Sequence, residues 1–319
     1  MAPSARIKYR SSYCLHNSAA PWQEAAVMTV SIPLLSGVGT LIGAYDAVII
    51  DLWGVVHDGV KLYPGVANCL ETIAETGKPY AMLTNAPRRA DAIALSMADM
   101  GLPPALYPII MSSGEATWLG LRERHEAFFD GVGDRCLHIG PERDRNLFDG
   151  QTLKIVDEIA DADLIVNTGP WEDDETVADY APTLDRGAER DIPMICANPD
   201  LEVIRGGKRI ICAGALAQYY EEKGGRVLCY GKPYPPIYQT CLRMIGDPAP
   251  GRVLAIGDSL RTDIAGAAAM RMDSVLVVGG IHGEEFAING SAAEAEARIA
   301  AKCEEHGLSP IAAVANLAW

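Results

Sequence analysis

Four short stretches of this chain place groups that could act on phosphorus or hold a cation. Asp51 follows the apolar run Ala47-Val48-Ile49-Ile50 and leads into Leu52-Trp53-Gly54-Val55. Leu83 precedes Thr84-Asn85, Tyr230-Gly231 precedes Lys232-Pro233, and Ile256-Gly257 precedes Asp258-Ser259. Each time an apolar run gives way to a polar group, as at the carboxyl ends of strands in open α/β sheets, where ligands bind. Two carboxylates, a hydroxyl and an ammonium on one sheet edge suit a phosphoryl group with a divalent cation. Hard cations prefer carboxylate oxygens, and a lysine offers phosphoryl oxygens a compact positive charge. Taken singly, the residues also fit plainer roles: Asp258, Ser259 or Thr84 as a helix cap, Lys232 as a solvated surface lysine. Their order along the chain favours the chemistry.

The elements that must position these groups alternate from Ile32 onward. A strand over 47–51 leads through a loop containing His57-Asp58-Gly59 to a helix over 65–76, with Val66, Leu70 and Ile73 on one face. A strand over 79–84, a helix over 87–100 opened by a proline in its first turn, a strand over 107–111 and a helix over 112–124 follow. Continuous apolar strands separated by helices predict a parallel sheet covered on both faces. Residues 129–225 leave that rhythm, with short strands over 136–139, 163–166 and 193–196 and helical stretches over 173–190 and 214–223. This middle third reads as an inserted second domain. The first pattern resumes with a strand over 227–230, a helix over 235–245, a strand over 253–256, a helix over 262–270 and a strand over 274–278. An Ala/Glu-rich helix over 292–305 comes last. The expected division is a core of 29–128 and 226–319 around an insertion of 129–225.

Composition narrows the partners. The 319 residues exceed one average domain, and 49% hydrophobic with 22% charged residues is ordinary for a globular enzyme. A net charge of −15 repels nucleic acid and anionic membrane surfaces, so neither is an expected partner. It also repels a phosphorylated substrate at long range, so a phosphate site needs its own lysine and cation. The eight cysteines form no C-x-x-C pair and several sit in apolar runs, which reads as reduced thiols in a cytoplasmic protein. No apolar run reaches ~18 residues, so no membrane span is expected. Arg6, Lys8 and Arg10 precede a polar stretch without an apolar h-region, unlike a secretory signal. Residues 1–28 are expected to be a disordered extension, with Met28 as an alternative start, although a basic, serine-containing stretch can also mimic a transit peptide.

Asp51-x-Trp53-Gly54-Val55, Thr84-Asn85, Gly231-Lys232-Pro233 and Gly257-Asp258-Ser259-x-x-Thr262-Asp263-Ile264 resemble, in order and spacing, the four motifs of the haloacid dehalogenase (HAD) superfamily. The resemblance covers residues 44–282 and is closest to subclass IIA, the NagD-like and 4-nitrophenylphosphatase-like sugar and nucleotide phosphatases. Pro64-Gly65, Ser113-Gly114-x-Ala116-Thr117 and Asn198-Pro199-Asp200 support it. It implies a Rossmann-like core with a parallel sheet and an inserted α/β cap of the C2 type between the second and third motifs. It also implies Mg²⁺-dependent hydrolysis of a small phosphorylated metabolite through an aspartyl-phosphate. On that likeness Asp51 is the nucleophile, and Mg²⁺ is held by Asp51, Asp258 and the backbone carbonyl of Trp53. Asp263 orients Lys232 or a water on the metal, while Thr84 and Lys232 face the phosphoryl oxygens. Asn85, Asn198 and Asp200 are candidate substrate contacts, and enzymes of this kind often form homodimers through the cap.

One position departs from the pattern. HAD phosphatases carry Asp two residues after the nucleophile as the acid–base group, and here that residue is Trp53. An indole N–H donates a hydrogen bond but does not exchange protons usefully near neutrality, and acid–base help is typically worth ~10²–10⁴-fold. Three explanations stay open. The substrate has a good leaving group, or His57 or Asp58 supplies the proton. The protein binds a phosphorylated ligand with little or no turnover. Or it cleaves a carbon–halogen bond, as HAD dehalogenases with an aromatic residue at this position do, although the acidic fourth motif and the large cap argue against that. His57-Asp58 otherwise reads as a structural loop pair, and Arg88-Arg89 as a solvated helix face. The loop Gly169-Pro170-Trp171-Glu172-Asp173-Asp174 is a candidate for selectivity.

Overall fold

A strand in which all four residues Ala47–Ile50 are buried needs cover on both faces, and the fold supplies it. The computed structural model of the chain describes residues 31–205, 208–279, 286 and 291–319. The extension 1–28 lies outside the described residues. Strands β1 (Leu34–Leu35), β2 (Ala47–Ile50), β3 (Tyr80–Thr84) and β4 (Ile110–Ser112) form one group with α1 (Gly39–Ile42), α2 (Val66–Glu75), α3 (Ala90–Asp99) and α4 (Ser113–Glu123). The middle of the chain gives β5 (Arg135–Ile139), β6 (Lys154–Val156), β7 (Leu164–Asn167), β8 (Met194–Cys196), β9 (Glu202–Arg205), β10 (Lys208–Ile211) and β11 (Val227–Cys229), with α5 (Val177–Glu189) and α6 (Ala213–Glu222). The last third gives α7 (Pro235–Met244), β12 (Val253–Gly257), α8 (Ala265–Ala269), β13 (Asp273–Val277), α9 (Ala292–Glu305) and β14 (Ala312–Val314).

The strands build a seven-stranded sheet in the order β1-β14-β13-β12-β2-β3-β4 and a five-stranded sheet in the order β11-β8-β7-β5-β6. Every pairing in both sheets is parallel, and β9 and β10 form a separate antiparallel hairpin. This is the parallel α/β core with an inserted α/β unit that the sequence predicts. One strand moves. Residues 227–230 read as the point where the first sheet resumes, yet β11 pairs with β8, Leu228 opposite Ile195. The chain returns to the larger sheet only after Tyr230-Gly231. An apolar strand fits either sheet equally well, so its composition does not reveal its partner. The short strands β1 and β14 and the β9–β10 hairpin have no counterpart in the sequence reading.

The topology fixes where a ligand can sit. From β2 the chain proceeds to β3 on one side, while its other neighbour, β12, arrives from the far end of the sequence. That reversal opens a crevice at the carboxyl ends of β2 and β12. Ile50 pairs with Ile256, and the Asp51 N–H donates to Ile256 O at 2.9 Å, so Asp51 and Asp258 leave adjacent strands side by side. One apolar cluster holds Ile49, Leu83 and Ala255 of the larger sheet together with Phe129, Leu164, Val166 and Ile195 of the inserted unit. Continuous burial of this kind seats the insertion on the core. Among the described residues no helix is long and apolar enough to cross a membrane, and Cys69, Cys136, Cys196, Cys212, Cys229, Cys241 and Cys303 are free thiols.

Candidate active site

The carboxyl ends of β2, β3 and β12 and the turn after β11 bring the sequence motifs together. Asp51, Thr84, Lys232, Asp258 and Asp263 are all buried and line one cavity of 530 Å³. Lys232 Nζ donates to Asp51 Oδ1 at 2.5 Å and to Asp263 Oδ1 at 2.6 Å. The second Asp263 oxygen accepts the Ser259 N–H at 3.1 Å, which ties it to the loop that carries Asp258. Asp51, Asp258 and Asp263 each offer an oxygen, all within 4.8 Å of one another. Three carboxylates thus face one ammonium. Burial first, and then the charge of Asp263, push Asp51 up to about 7 even though Lys232 opposes both. Burial lowers the Lys232 pKa, but Asp263 and Asp51 outweigh it and hold the ammonium well above the ordinary lysine range.

That charge imbalance fits a divalent cation. An all-oxygen donor set at this spacing is the kind hard cations take, and a second positive charge would let Asp51 ionise fully. The local backbone is shaped around the same group. Gly54 has φ +82°, and a Cβ there would lie 1.9 Å from Asp258 Oδ2. Gly54→Ala is therefore expected to destabilise the protein by about 1–3 kcal/mol and to remove any thermal stabilisation by a divalent cation. Melting curves with and without the cation check both effects.

The second ring of contacts joins core to cap. Asn85 Oδ1 accepts the Lys232 N–H at 2.7 Å, while Asn85 Nδ2 donates to Lys232 O at 3.1 Å and to Asp200 Oδ1 at 3.0 Å. Asn198 Oδ1 accepts the Asp200 N–H at 3.1 Å, and Arg261 donates to Pro199 O. Asn85, Asn198 and Asp200 all line the cavity, and Asn85, bonded in turn to Asp200, clamps the Lys232 backbone beside the carboxylates.

Trp53 lines the cavity with its ring over Gly59, where an added Cβ would meet the indole at 2.2 Å. The two residues named as substitute proton donors point elsewhere. His57 is buried, its Nδ1 accepts the Gly59 N–H at 3.0 Å, and burial lowers its pKa to about 4, so it is a neutral imidazole with an edge-on contact to Trp53. Asp58 Oδ1 accepts the Val60 and Lys61 N–H groups at 2.9 Å each and shapes the turn. Neither lines the cavity.

The arginine pair splits. Arg89 pairs with Glu115 at 2.7 Å and stacks 3.9 Å from the Trp118 ring centroid, whereas Arg88 lines the cavity. Of the 169–174 loop, Gly169, Pro170 and Asp173 reach the cavity, while Trp171 packs on Tyr180. Sequence reasoning missed Arg143, Asp144, Thr168, Arg209 and Arg261, which also line it. Arg261 sits inside the fourth motif and was legible there; Arg143, Asp144 and Thr168 lie on turns and Arg209 on β10, with no motif around them.

The family described as haloacid dehalogenase-like hydrolase matches residues 48–154, and one described as HAD-hydrolase-like matches residues 229–302. A hydrolase of the haloacid dehalogenase-like family from Brucella suis 1330 has a crystal structure similar to this chain at TM-score 0.75. It is 35% identical, covering 89% of this chain and 100% of that one. Chronophin of Rattus norvegicus is 27% identical over 275 residues, 85% of each chain. Ribonucleotide monophosphatase NagD of Escherichia coli K12 is 28% identical over 239 residues, 73% of this chain and 88% of that one.

Proposed function

The chain belongs to the haloacid dehalogenase-like hydrolase family, and from that premise we propose that it is a Mg²⁺-dependent phosphatase of a small phosphorylated metabolite. A sugar phosphate or a nucleotide is the expected class, and the likeness to the ribonucleotide monophosphatase NagD supports the nucleotide. The observation that carries this reading is Lys232 held between Asp51 and Asp263, with Asp258 alongside, at one cavity beneath the cap.

The chain's own residues support a two-step displacement. An Asp51 oxygen attacks phosphorus, the bond from phosphorus to the substrate oxygen breaks, and the leaving group departs with the electron pair. Lys232 and Thr84 face the phosphoryl oxygens, where charge accumulates. Water then attacks the aspartyl-phosphate, which releases phosphate and restores the Asp51 carboxylate. Asp51, Asp258 and the Trp53 carbonyl would hold Mg²⁺, which when bound supplies charge neutralisation and Lewis-acid polarisation of the phosphoryl group. Asp263 positions Lys232 and braces the Ser259 backbone. What the site lacks is a proton donor at Trp53, since His57 and Asp58 are committed to their loop. The departing oxygen must then be a weak base or take its proton from solvent. A second reading, a phospholigand binder with little turnover, rests on Trp53 alone.

The test is hydrolysis of 4-nitrophenyl phosphate and a phosphometabolite panel with Mg²⁺ or with chelator. Turnover is expected only with Mg²⁺. In melting curves, Mg²⁺ at a hundredfold over its Kd should stabilise the protein by about 2.7 kcal/mol, and Asp258→Asn should remove that gain. Undiminished activity in chelator would overturn the proposal.

A further inference from the structure

The turn between β8 and β9 is where the cap meets the groups around Lys232. Pro199 O accepts a hydrogen bond from Arg261. Gly231 lets this turn close on the core, because a Cβ there would lie 2.6 Å from Pro199 Cδ and 2.7 Å from Asn85 Oδ1. On the cap side, Asn198 Oδ1 accepts the Asp200 N–H at 3.1 Å, and Asp200 O accepts the Gly214 N–H at 3.0 Å. Gly214 permits the same close approach, since its Cβ would lie 2.5 Å from Asp200 O. The turn that carries Asp200 is thus held from both sides of the seam.

The Asp200 carboxylate bonds to one core residue, with Oδ1 accepting from Asn85 Nδ2 at 3.0 Å. The same amide nitrogen donates to Lys232 O at 3.1 Å, and Asn85 Oδ1 accepts the Lys232 N–H at 2.7 Å. An asparagine amide has two N–H donors, and Asn85 is buried, so Asp200 takes the donor that the Lys232 peptide leaves over. Without that carboxylate a buried N–H loses its partner, which drives the amide to move toward another acceptor. Lys232 Nζ lies in turn 2.5 Å from Asp51 and 2.6 Å from Asp263. An unbroken chain of bonds therefore runs from a cap carboxylate through Asn85 and Lys232 to the attacking group.

We propose that Asp200 is a positioning residue: it fixes the Asn85 amide, and through it the Lys232 peptide, so that the ammonium is aligned with Asp51 only while the cap is seated. It acts on the transfer of phosphoryl from any ester rather than on the choice of ester. This rests on the phosphatase reading. Against the burial that lowers the Lys232 pKa, Asp263 and Asp51 act more strongly than Asp200. The bond to Asn85, and not the charge, is what alignment needs.

The test is a double-substitution cycle. Asp200→Ala, Asn85→Ala and the two combined are compared with wild type on 4-nitrophenyl phosphate, acetyl phosphate, glycerol phosphate and a nucleoside monophosphate, all with Mg²⁺. Asp200→Ala is expected to lower kcat/KM by about 10²-fold, the scale on which a small misplacement of reacting groups acts, and by the same factor on every ester that wild type hydrolyses. The combined variant should be within about twofold of the slower single variant, because both act through one chain. Asp200→Asn keeps an acceptor for Asn85 without the charge and should restore most of the rate. Losses that multiply in the combined variant, a loss confined to some esters, or Asp200→Asn as slow as Asp200→Ala overturns the proposal. Calorimetric binding of inorganic phosphate to the same Mg²⁺-loaded proteins runs the cycle without turnover and so separates it from the phosphatase reading. Weaker binding in Asp200→Ala, with no further weakening in the combined variant, supports Asp200 even if wild type hydrolyses nothing. Equal binding by wild type and Asp200→Ala, or neither binding nor turnover in wild type, overturns it. Melting curves set a temperature at which the variants are folded, and if Asp200→Ala is not folded at any, Asp200→Ser takes its place.

Discussion

Asp51→Asn is expected to lower phosphatase turnover by roughly 10⁴-fold or more, the scale on which removal of a nucleophile acts. The substitution is nearly isosteric at a buried position, and an amide oxygen is a poor nucleophile toward phosphorus. Lys232 keeps Asp263 as its partner at 2.6 Å, so the ammonium is not stranded. The variant also sheds one of three crowded carboxylates. A fold collapse is therefore not the expected cause of the lost activity, and circular dichroism with melting curves checks this. Turnover within tenfold of wild type would mean that Asp51 is not the attacking group.

Trp53→Asp is expected to act in the opposite direction. A carboxyl two residues after the nucleophile would restore proton transfer to the departing oxygen, worth about 10²–10⁴-fold for esters with poor leaving groups. The gain should shrink for 4-nitrophenyl phosphate, whose leaving group needs little help. In wild type, rates across a series of phosphate esters should fall steeply as the leaving group becomes more basic, and the variant should flatten that dependence. The indole sits over Gly59 and meets His57 edge-on, so its removal opens space in the loop. A fall in activity on every ester would show that the tryptophan is itself part of substrate binding.

Much of this site was legible because its groups sit at strand ends. An apolar run that stops at Asp, Thr-Asn or Gly-Asp announces both the strand and the polar residue at its edge, and the parallel topology then brings those edges together. Asp51, Thr84, Lys232 and Asp258 were found in this way, and Asp263 through the likeness of the fourth motif. The bonds from Asn85 to Asp200 and to both ends of the Lys232 peptide were beyond reach, since they depend on how the cap seats. Val227–Cys229 was assigned to the wrong sheet because an apolar strand carries no label for its neighbour. Asp144 has no motif or apolar periodicity around it to mark it; only the turn shows that it is buried while its neighbours Glu142, Arg143 and Arg145 are exposed. His57 looked like an available proton donor until its Nδ1 proved to be held by the Gly59 N–H.

The central claim is that Asp51 becomes phosphorylated during turnover. Acid quenching of the Mg²⁺-loaded enzyme shortly after mixing with 4-nitrophenyl phosphate, followed by peptide mass spectrometry, reads this directly. The account predicts one added phosphoryl group on the peptide containing Asp51, absent when chelator replaces Mg²⁺ and absent from Asp51→Asn. Turnover without that adduct under single-turnover conditions, or an adduct on another residue, would contradict it.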